Sequence, residues 1–388
     1  MTMCFELNQD QRHLRESIER VMQQIITPEY LRRMDEEGHY PYEAYEAWVK
    51  LGLTGLGLDP EYGGYGGTME DLALVSEQLG YFSYDLATAY MVPLFTGQTL
   101  LKHGRLEQKN EFLKKLINGT LRMSVCISEP SAGSDVSAIQ TKATRDGDEW
   151  VVSGQKLWTT AAGANNTILQ VYAVTNPNVP KKEGISIFLI DNNTVGVTLK
   201  KNEMLGRRGV GTYEVFFDEV RIPYSRILGE LNEGWKYLLS GLQLERALTS
   251  SAYVGASQSV VDIATQYASD REQFGKRIIE FQAIGHMLAD MQTEVTAARL
   301  LAYDAAGRLA QERNALREVS MAKLFGSETY VKVANQGMQI MGAYGYSMEY
   351  PMQRHFRDAR STTIGAGSSQ MQRNTILSTM DPRIKKQF

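Results

Sequence analysis

The sequence predicts an α+β protein in which a β domain lies between two helical domains. Apolar residues recur with a period near 3.6 up to residue 122, and again from Gly234 onward. Between these stretches the chain carries short runs of β-branched and aromatic residues separated by turn residues. We therefore expect an N-terminal helical domain (1–122), a middle β domain (123–233) and a C-terminal helical bundle domain (234–388).

The N-terminal domain is predicted to consist of amphipathic helices. Apolar residues at the helical period predict them over residues 8–26, 42–51, 68–79, 86–101 and 108–117. Thr68 and Asp71 form an approximate capping box at the start of the third helix. The glycine-rich residues 51–67 interrupt the pattern, so we expect a loop there.

The two remaining domains follow from strand and helix patterns. Strands are predicted over residues 150–158, 167–174, 185–190 and 213–222, with no helical pattern between them. This spacing favours an antiparallel sandwich or barrel. Long helices are predicted over residues 235–269, 285–313 and 316–341, and long adjacent amphipathic helices are typical of a bundle.

Composition excludes several classes of protein. Charged residues make up 22% and hydrophobic residues 43%, so a mainly disordered chain is excluded. The net charge of −4 comes without a Lys/Arg block, and we expect no nucleic-acid partner. No apolar run approaches the ~20 residues needed to span a bilayer, and no secretory signal is expected. Cys4 and Cys126 with scattered histidines predict no disulfide framework and no metal site, and a reducing cytoplasm is the expected compartment.

Two segments of the middle domain contain residues suited to ligand binding. Residues 128–135 read SEPSAGSD, and Gly133 would let the backbone pass close to a ligand while the hydroxyls donate hydrogen bonds. Residues 156–163 read KLWTTAAG, in which a Trp beside two Thr residues could stack on a flat heteroaromatic ring. The alternatives are a surface turn for the first segment and a core Trp for the second.

Two segments of the C-terminal domain combine arginine with glycine. Residues 270–282 read DREQFGKRIIEFQ, where Arg271 offers a bidentate fork to phosphate and Phe274 with Gly275 permits close approach to a cofactor. Residues 339–346 read QIMGAYGY and are followed by several arginines. The alternatives are a solvated turn between helices and a helix C-cap.

Glu245 is the candidate general base. It lies in the apolar helical stretch LQLERAL, and a desolvated carboxylate has a raised pKa that suits a base near neutral pH. The alternative is an ordinary helix salt bridge. Walker, GxGxxG, GxSxG and HExxH motifs are missing from the sequence, which excludes Rossmann proteins, kinases, α/β-hydrolases and zincins.

In this order, the five segments resemble the acyl-CoA dehydrogenase family over nearly the whole chain. SEPSAGSD is similar to the family's TEPGAGSD, and KLWTT to its KxWIT. DREQFGKRIIEFQ is similar to DRxxFGxxIxxFQ, and QIMGAYGY to QxxGGxGY with Ala343 for the second glycine. The resemblance implies an acyl-CoA dehydrogenase-like fold with a middle antiparallel β-barrel or sandwich and a C-terminal four-helix bundle.

The resemblance also implies non-covalently bound FAD and a homotetramer or dimer. By residue match, the FAD-binding residues are expected to be Val125, Ile127, Ser128, Gly133, Ser134, Trp158, Thr160, Arg271, Phe274, Gln282, Gln339, Gly342, Ser368 and Gln370. Those of the middle domain would line the isoalloxazine and the thioester. Those of the long C-terminal helices would reach the pyrophosphate and adenine, partly from a neighbouring subunit.

The implied reaction is α,β-dehydrogenation of an acyl thioester. A carboxylate removes the α proton while a hydride moves from the β carbon to flavin N5, and hydrogen bonds stabilise the charge that develops on the thioester oxygen. Most members carry this carboxylate in a C-terminal YEGT motif, where this chain has Ala366. A smaller branch, which includes isovaleryl-CoA dehydrogenase, carries it on a long helix in an LxLER context that Glu245 matches. The resemblance therefore implies that Glu245 is the catalytic base.

The predicted substrate is a prolyl (aminoacyl) group on the phosphopantetheine of an acyl or peptidyl carrier protein in natural-product biosynthesis. The chain resembles the prolyl-carrier-protein dehydrogenase or oxidase branch of the anatoxin type. Tyr344, Tyr346 and Trp235 could fill the space that a fatty chain needs, or could simply pack. Alternatives are a dehydrogenase for a short or branched acyl-CoA, a flavin-dependent monooxygenase without a carboxylate base, and a flavin-free binding protein. Oxygen and an electron-transfer flavoprotein are both compatible acceptors.

A carrier protein is usually acidic, so docking one would require a local basic surface. The middle domain offers a hypothetical patch that consists of Lys181, Lys182, Lys200, Lys201, Arg207 and Arg208.

Overall fold

Six helices precede the first strand in the residues that this computed structural model describes, which are 6–381, 383 and 384. They are α1 (Gln9–Ile25), α2 (Pro28–Glu37), α3 (Tyr42–Lys50), α4 (Met69–Phe82), α5 (Tyr84–His103) and α6 (Leu106–Ile117). The predicted helices are confirmed, and α2 is an addition to them. Cys4 lies outside the described residues.

Local capping explains where these helices begin and end. The capping box before α4 is confirmed, because the Asp71 carboxylate accepts from the Thr68 backbone N–H at 2.8 Å. Helix α2 carries the same kind of signal, which the periodicity analysis missed. Its Thr27 hydroxyl accepts from a backbone N–H of the first turn, proline follows at Pro28, and Gly38 ends the helix at φ 63°.

One sheet forms the middle domain. Its strands are β1 (Arg122–Cys126), β2 (Lys142–Asp146), β3 (Glu149–Thr160), β4 (Thr167–Val174), β5 (Ile185–Asp191), β6 (Val197–Lys201), β7 (Thr212–Pro223) and β8 (Ile227–Leu228). The order is β6-β7-β3-β2-β4-β5-β8, and β1 also pairs with β4. Most pairs are antiparallel, but β1 and β2 run parallel to β4. The β2–β3 hairpin supplies the crossover that this parallel pairing requires.

Strand β3 changes its direction at two irregular positions. Register shifts occur between Val152 and Gly154 and between Lys156 and Thr159. At Gly154 an added Cβ would lie 2.7 Å from a backbone atom of Thr141, so no larger residue fits without a shift. The second irregularity leaves Trp158 at φ 62° and points its indole away from the sheet core, where it is 55% exposed.

The C-terminal domain is built on three long helices. They are α7 (Gly234–Asp270), α8 (Gln282–Ala310) and α9 (Leu316–Met341), and α4 of the N-terminal domain packs against α7 and α8. A small hairpin of β9 (Glu272–Gln273) and β10 (Lys276–Arg277) joins α7 to α8. Three short helices follow, α10 (Ala343–Tyr346), α11 (Met352–Thr362) and α12 (Ser369–Met380). None of the helices described here is long and apolar enough to span a bilayer.

Two apolar clusters join the domains. The larger one packs α1–α5 against α7–α9, so the two helical domains share a core. The second, which we call the junction cluster, brings α5 and α6 together with β1, β4, β5 and the first turns of α7. The junction cluster contains Tyr172, Tyr237 and Leu238, with Trp235 and Leu242 at its margin. It therefore connects the middle domain to the helix that carries Glu245.

The basic patch predicted for the middle domain is wrong as a single surface. Lys181 and Lys182 lie in the β4–β5 connection, whereas Lys200 and Lys201 lie at the other end of β4, beside the last residues of β3. The length of β4 alone separates the two pairs by about 23 Å. Arg207 turns inward, since its guanidinium lies 5.2 Å from the centroid of the Tyr84 ring.

Candidate active site

The ends of β1 and β3 meet at the two ligand-binding segments of the middle domain. The Leu157 backbone N–H donates to the Ser128 carbonyl at 2.8 Å, and the Ser124 hydroxyl donates to the Thr160 carbonyl at 2.5 Å. Ser128 and Thr160 are half-buried, while the loop residues Gly133 and Ser134 are exposed. The structure therefore brings these predicted site residues together around the end of β3.

A buried ion pair holds this junction, and sequence reasoning missed it. The Lys156 ammonium donates to the Glu129 carboxylate at 2.8 Å and to the Ile127 carbonyl at 3.0 Å. The same carboxylate accepts from the backbone N–H groups of Gln140 and Thr141 at 2.6 and 2.9 Å. Lys156 is 0% exposed. The only sequence signal was that Glu129 and Lys156 lie within the two segments already identified.

The surface at the end of β3 fits the flavin that the resemblance implies. The exposed Trp158 indole offers an aromatic face to a planar ring, and Thr160 lies two residues further along the strand. Between them, Thr159 turns its side chain inward to the buried Cys126 thiol, so that its two neighbours face the other way. An added Cβ at Gly133 would meet open space, so a ligand can approach that backbone. A stacking face, hydroxyls and an open loop are the groups that an isoalloxazine requires.

Glu245 lies half-buried in α7. Burial raises the pKa of its carboxyl above the ordinary 4.5, although the neighbouring Arg246 and Lys323 favour the charged form. No hydrogen bond or ion pair engages this carboxylate within the described part of the chain. A raised pKa and a free carboxylate are what a general base requires.

The surroundings of Glu245 connect it to the flavin-facing segments. Leu242, one turn earlier in α7, packs on the junction cluster together with Val125 and Ile127. Burial raises the pKa of Tyr172 on β4, and the charge of Glu245 raises it further. The structure therefore places the predicted base and the predicted thioester-lining residues at one junction.

The loop that carries Ala366 is bound by the two cations that act on Glu245. Arg246 donates from Nε to the Ala366 carbonyl at 3.2 Å. The buried Lys323 donates to the Gly367 carbonyl at 2.8 Å, and Gln372 donates to the same carbonyl at 2.9 Å. Arg246 and Lys323, whose charges act on Glu245, therefore also hold this loop in place.

The two other predicted residues of this region lie just after the loop. The Ser368 hydroxyl caps α12 by accepting from the Met371 backbone N–H, and Gln370 is exposed. Ser368 therefore has a structural role in the chain by itself, and its flavin role stays a prediction.

The remaining predicted FAD residues form a separate, exposed group. Its members are Arg271, Phe274, Gln282, Gln339 and Gly342. Phe274 is 95% exposed, and the Arg271 guanidinium lies 5.9 Å from the centroid of the Tyr344 ring. The rise of α7 puts Arg271 about 39 Å from Glu245. Within one chain the structure does not bring this group to the junction.

Tyr344 and Tyr346 cannot shorten an acyl pocket beside Glu245 in the same chain. Tyr344 contacts Tyr267 near the end of α7, with ring centroids 6.0 Å apart, and Tyr346 is 79% exposed. Of the three predicted space-filling aromatics, only Trp235 packs on the junction cluster.

A cavity of about 290 Å³ lies elsewhere, between the α2–α3 turn and the middle domain. His39, Tyr40, Tyr42 and Tyr213 line it, and it contains none of the predicted site residues.

Sequence comparison identifies relatives that cover almost all of the chain. It is 36% identical over 376 residues to the probable acyl-CoA dehydrogenase YngJ of Bacillus subtilis, which covers 96% of this chain and 98% of the relative. It is 35% identical over 354 residues to the caffeyl-CoA reductase-Etf complex subunit CarC of Acetobacterium woodii, with 90% and 93% covered.

Solved structures show the same fold. The prolyl acyl carrier protein oxidase AnaB is 28% identical with a TM-score of 0.91, covering 97% of this chain and 100% of that one. A glutaryl-CoA dehydrogenase from Mycobacterium smegmatis in complex with FADH2 is 26% identical with a TM-score of 0.91, covering 98% and 96%.

Three family descriptions together match most of the chain. The N-terminal domain of acyl-CoA dehydrogenase matches residues 8–120, the middle domain 124–220 and the C-terminal domain 232–380. The chain therefore belongs to the acyl-CoA dehydrogenase family, whose members are FAD-dependent oxidoreductases that act on acyl thioesters.

Proposed function

We propose that this enzyme oxidises the Cα–Cβ bond of a prolyl thioester carried by a carrier protein, with Glu245 as the base. The observation that supports the catalytic part is the free carboxylate of Glu245 at the junction of α7 with β1 and β4. Burial raises the pKa of this carboxyl. The observation that supports the substrate is the similarity over 97% of the chain to a prolyl acyl carrier protein oxidase.

In the proposed reaction, Glu245 removes the α proton of the thioester. Arg246, anchored to the Ala366 carbonyl, and the buried Lys323 lie close enough to lower the energy of the ionised carboxylate. Trp158 and Thr160 would hold the flavin ring, which accepts the hydride from the β carbon when FAD is bound. Val125 and Ile127 exclude water from the reacting atoms.

We further propose that a second subunit completes the FAD site. Arg271, Phe274 and Gln282 are exposed, and Arg271 lies about 39 Å along α7 from Glu245, so a neighbouring copy can present them to the far half of the cofactor. A dimer is the smallest assembly that satisfies this geometry, and a homotetramer built of two such dimers satisfies it equally.

Flavin bleaching tests the proposed chemistry. Anaerobic mixing of the enzyme with a prolyl-loaded carrier protein should reduce the flavin, and Glu245→Gln should slow that reduction by about 10²–10⁴-fold. Glu46→Gln, which neutralises an exposed carboxylate of α3, is the matched control and should keep the wild-type rate. Undiminished reduction in Glu245→Gln would exclude Glu245 as the base, whereas a wild-type flavin that no thioester reduces would favour a monooxygenase.

Comparing substrates separates the remaining alternatives. Equal or faster bleaching by butyryl- or isovaleryl-CoA would favour an acyl-CoA dehydrogenase. The rates at which oxygen and an electron-transfer flavoprotein reoxidise the flavin identify the electron acceptor. The electron-transfer flavoprotein is included because one relative is a subunit of an Etf complex. A protein that binds no FAD on reconstitution would contradict the proposal altogether.

A further inference from the structure

Four lysines from four different elements surround the start of α7. Lys102 lies in the last turn of α5, Lys109 lies in α6, Lys182 lies in the β4–β5 connection and Lys236 lies in the first turn of α7. We call these four residues the basic rim. Two of them, Lys102 and Lys236, are exposed.

The convergence of the basic rim is visible at His103. Burial, followed by the charges of Lys102, Lys236 and Lys109, lowers the pKa of His103 to about 4. His103 is therefore neutral at physiological pH and stacks on Tyr237 with ring centroids 4.0 Å apart. The ammonium groups of Lys102, Lys109 and Lys236 belong to three separate elements, and all three lie close enough to His103 to lower its pKa.

The rim lies at the margin of the junction cluster. The Lys182 ammonium is 5.0 Å from the centroid of the Trp235 ring, and Trp235 packs on the cluster that also holds Leu242. Lys236 precedes Glu245 by nine residues of α7, which corresponds to about 14 Å along the helix axis. Lys236 itself faces away from Glu245, but its neighbour Trp235 lies two turns before Leu242 on the same face of α7, so Trp235 and Leu242 mark the path from the rim toward the base.

Carboxylates reduce the positive charge of the rim only in part. Glu233 pairs with Lys236 at 3.3 Å, Glu183 directly follows Lys182, and Glu230 is held at the rim by its backbone N–H, which donates to the Tyr237 hydroxyl at 3.1 Å. Lys102 and Lys109 form no ion pair within the described part of the chain. The four lysines outnumber these three carboxylates by one, and Lys102 and Lys236 face solvent.

We propose that the basic rim docks the acidic surface of the carrier protein, so that its phosphopantetheine passes Trp235 toward Glu245. This inference rests on the proposed function and names the contact surface of its partner. Complementary charge steers association and sets partner choice, so the rim favours a carrier-bound thioester over a free one.

A charge-reversal experiment tests the rim. Lys102→Glu combined with Lys236→Glu reverses two exposed cations, and Lys50→Glu combined with Lys115→Glu makes the same charge change on α3 and α6 at exposed positions. Affinity for a fluorescently labelled acyl carrier protein is measured by anisotropy. Flavin reduction is measured with prolyl carrier protein, prolyl-CoA and the prolyl thioester of N-acetylcysteamine.

We expect the rim variant to bind the carrier protein about tenfold more weakly at low salt. The ratio of kcat/KM for the carrier-bound substrate to that for the N-acetylcysteamine thioester should fall by about the same factor. The control pair should leave both quantities at their wild-type values. An equal loss with prolyl-CoA would overturn the inference in favour of a nucleotide-phosphate site, and an unchanged ratio would overturn it outright.

Failure of the proposed function has a different signature. A wild-type flavin that no prolyl thioester reduces would remove the prolyl substrate, and the docking inference with it. Reduction by the small prolyl thioester with no rim effect on the carrier protein would remove only the docking inference.

Discussion

Replacing Glu129 with glutamine should destabilise the enzyme strongly, because it leaves a buried ammonium without its counterion. Lys156 is 0% exposed, and among residues 6–381 its only acceptors are Glu129 and the Ile127 carbonyl. The glutamine would also point an NH2 group at one of the two backbone N–H donors that the carboxylate now satisfies. Breaking one partner of a buried pair costs about 3–5 kcal/mol, which in a chain of 388 residues corresponds to a Tm lower by about 4–6 °C.

A double-mutant cycle measured by thermal unfolding checks this value. Lys156→Met removes the ammonium, so the double variant Glu129→Gln with Lys156→Met should be more stable than the sum of the single losses predicts. Glu149→Gln is the matched control, since it breaks an exposed pair with Arg221 at 3.1 Å. Such pairs contribute about 0–1 kcal/mol. A Tm of Glu129→Gln within about 2 °C of the wild type would refute the reasoning.

Three further predictions concern titration and the position of the base. Flavin reduction should increase as pH rises through the raised pKa of Glu245, since only the ionised carboxylate takes a proton, and its midpoint should lie above the ordinary 4.5 in stopped-flow rates. Adding Ala366→Glu to Glu245→Gln should restore part of the lost reduction rate, because Arg246, the neighbour of Glu245, donates to the Ala366 carbonyl at 3.2 Å. Burial, and after it the charge of Asp85, raises the pKa of Asp358 from 3.8 to about 7. The stability that its protonated form contributes should therefore be lost as pH rises through that range. In denaturant unfolding, the free energy of unfolding of Asp358→Asn should depend less on pH than that of the wild type.

Each of these has a contrary result. A reduction rate independent of pH in the wild type would remove the titrating base. The rescue idea fails when Ala366→Glu with Glu245→Gln reduces no faster than Glu245→Gln alone. If the free energy of unfolding depends on pH in the same way for the wild type and for Asp358→Asn, this carboxyl does not contribute to the pH dependence of stability.

Local sequence signals account for most of the fold. The capping box of Thr68 and Asp71 and the four β-rich runs predict elements that the structure contains. Strand β6 escaped prediction because its sequence, VTLKK, is half polar, as suits a strand at the edge of a sheet. The parallel pairing of β1 with β4 also escaped, because it depends on a crossover and not on either strand's own residues.

The residues of the candidate site differ in the same way in how far the sequence could predict them. Glu245 could be identified because its neighbours in sequence resemble a known context, and the structure then supplies its free carboxylate. The Glu129–Lys156 pair joins residues 27 positions apart, so periodicity carries no signal of it. The basic patch failed for the converse reason: Lys181 and Lys200 are close in sequence, but β4 separates them in space.

The length of α7 has a genetic consequence. If the base at one end of the helix and Arg271 at the other serve different FAD sites, two defective alleles can complement each other. Subunits carrying Glu245→Gln and subunits carrying Arg271→Ala, mixed during refolding, would form hybrids in which one site receives both lesions and the other receives neither. Activity that reappears only in such hybrids would show that each active site contains residues from two chains.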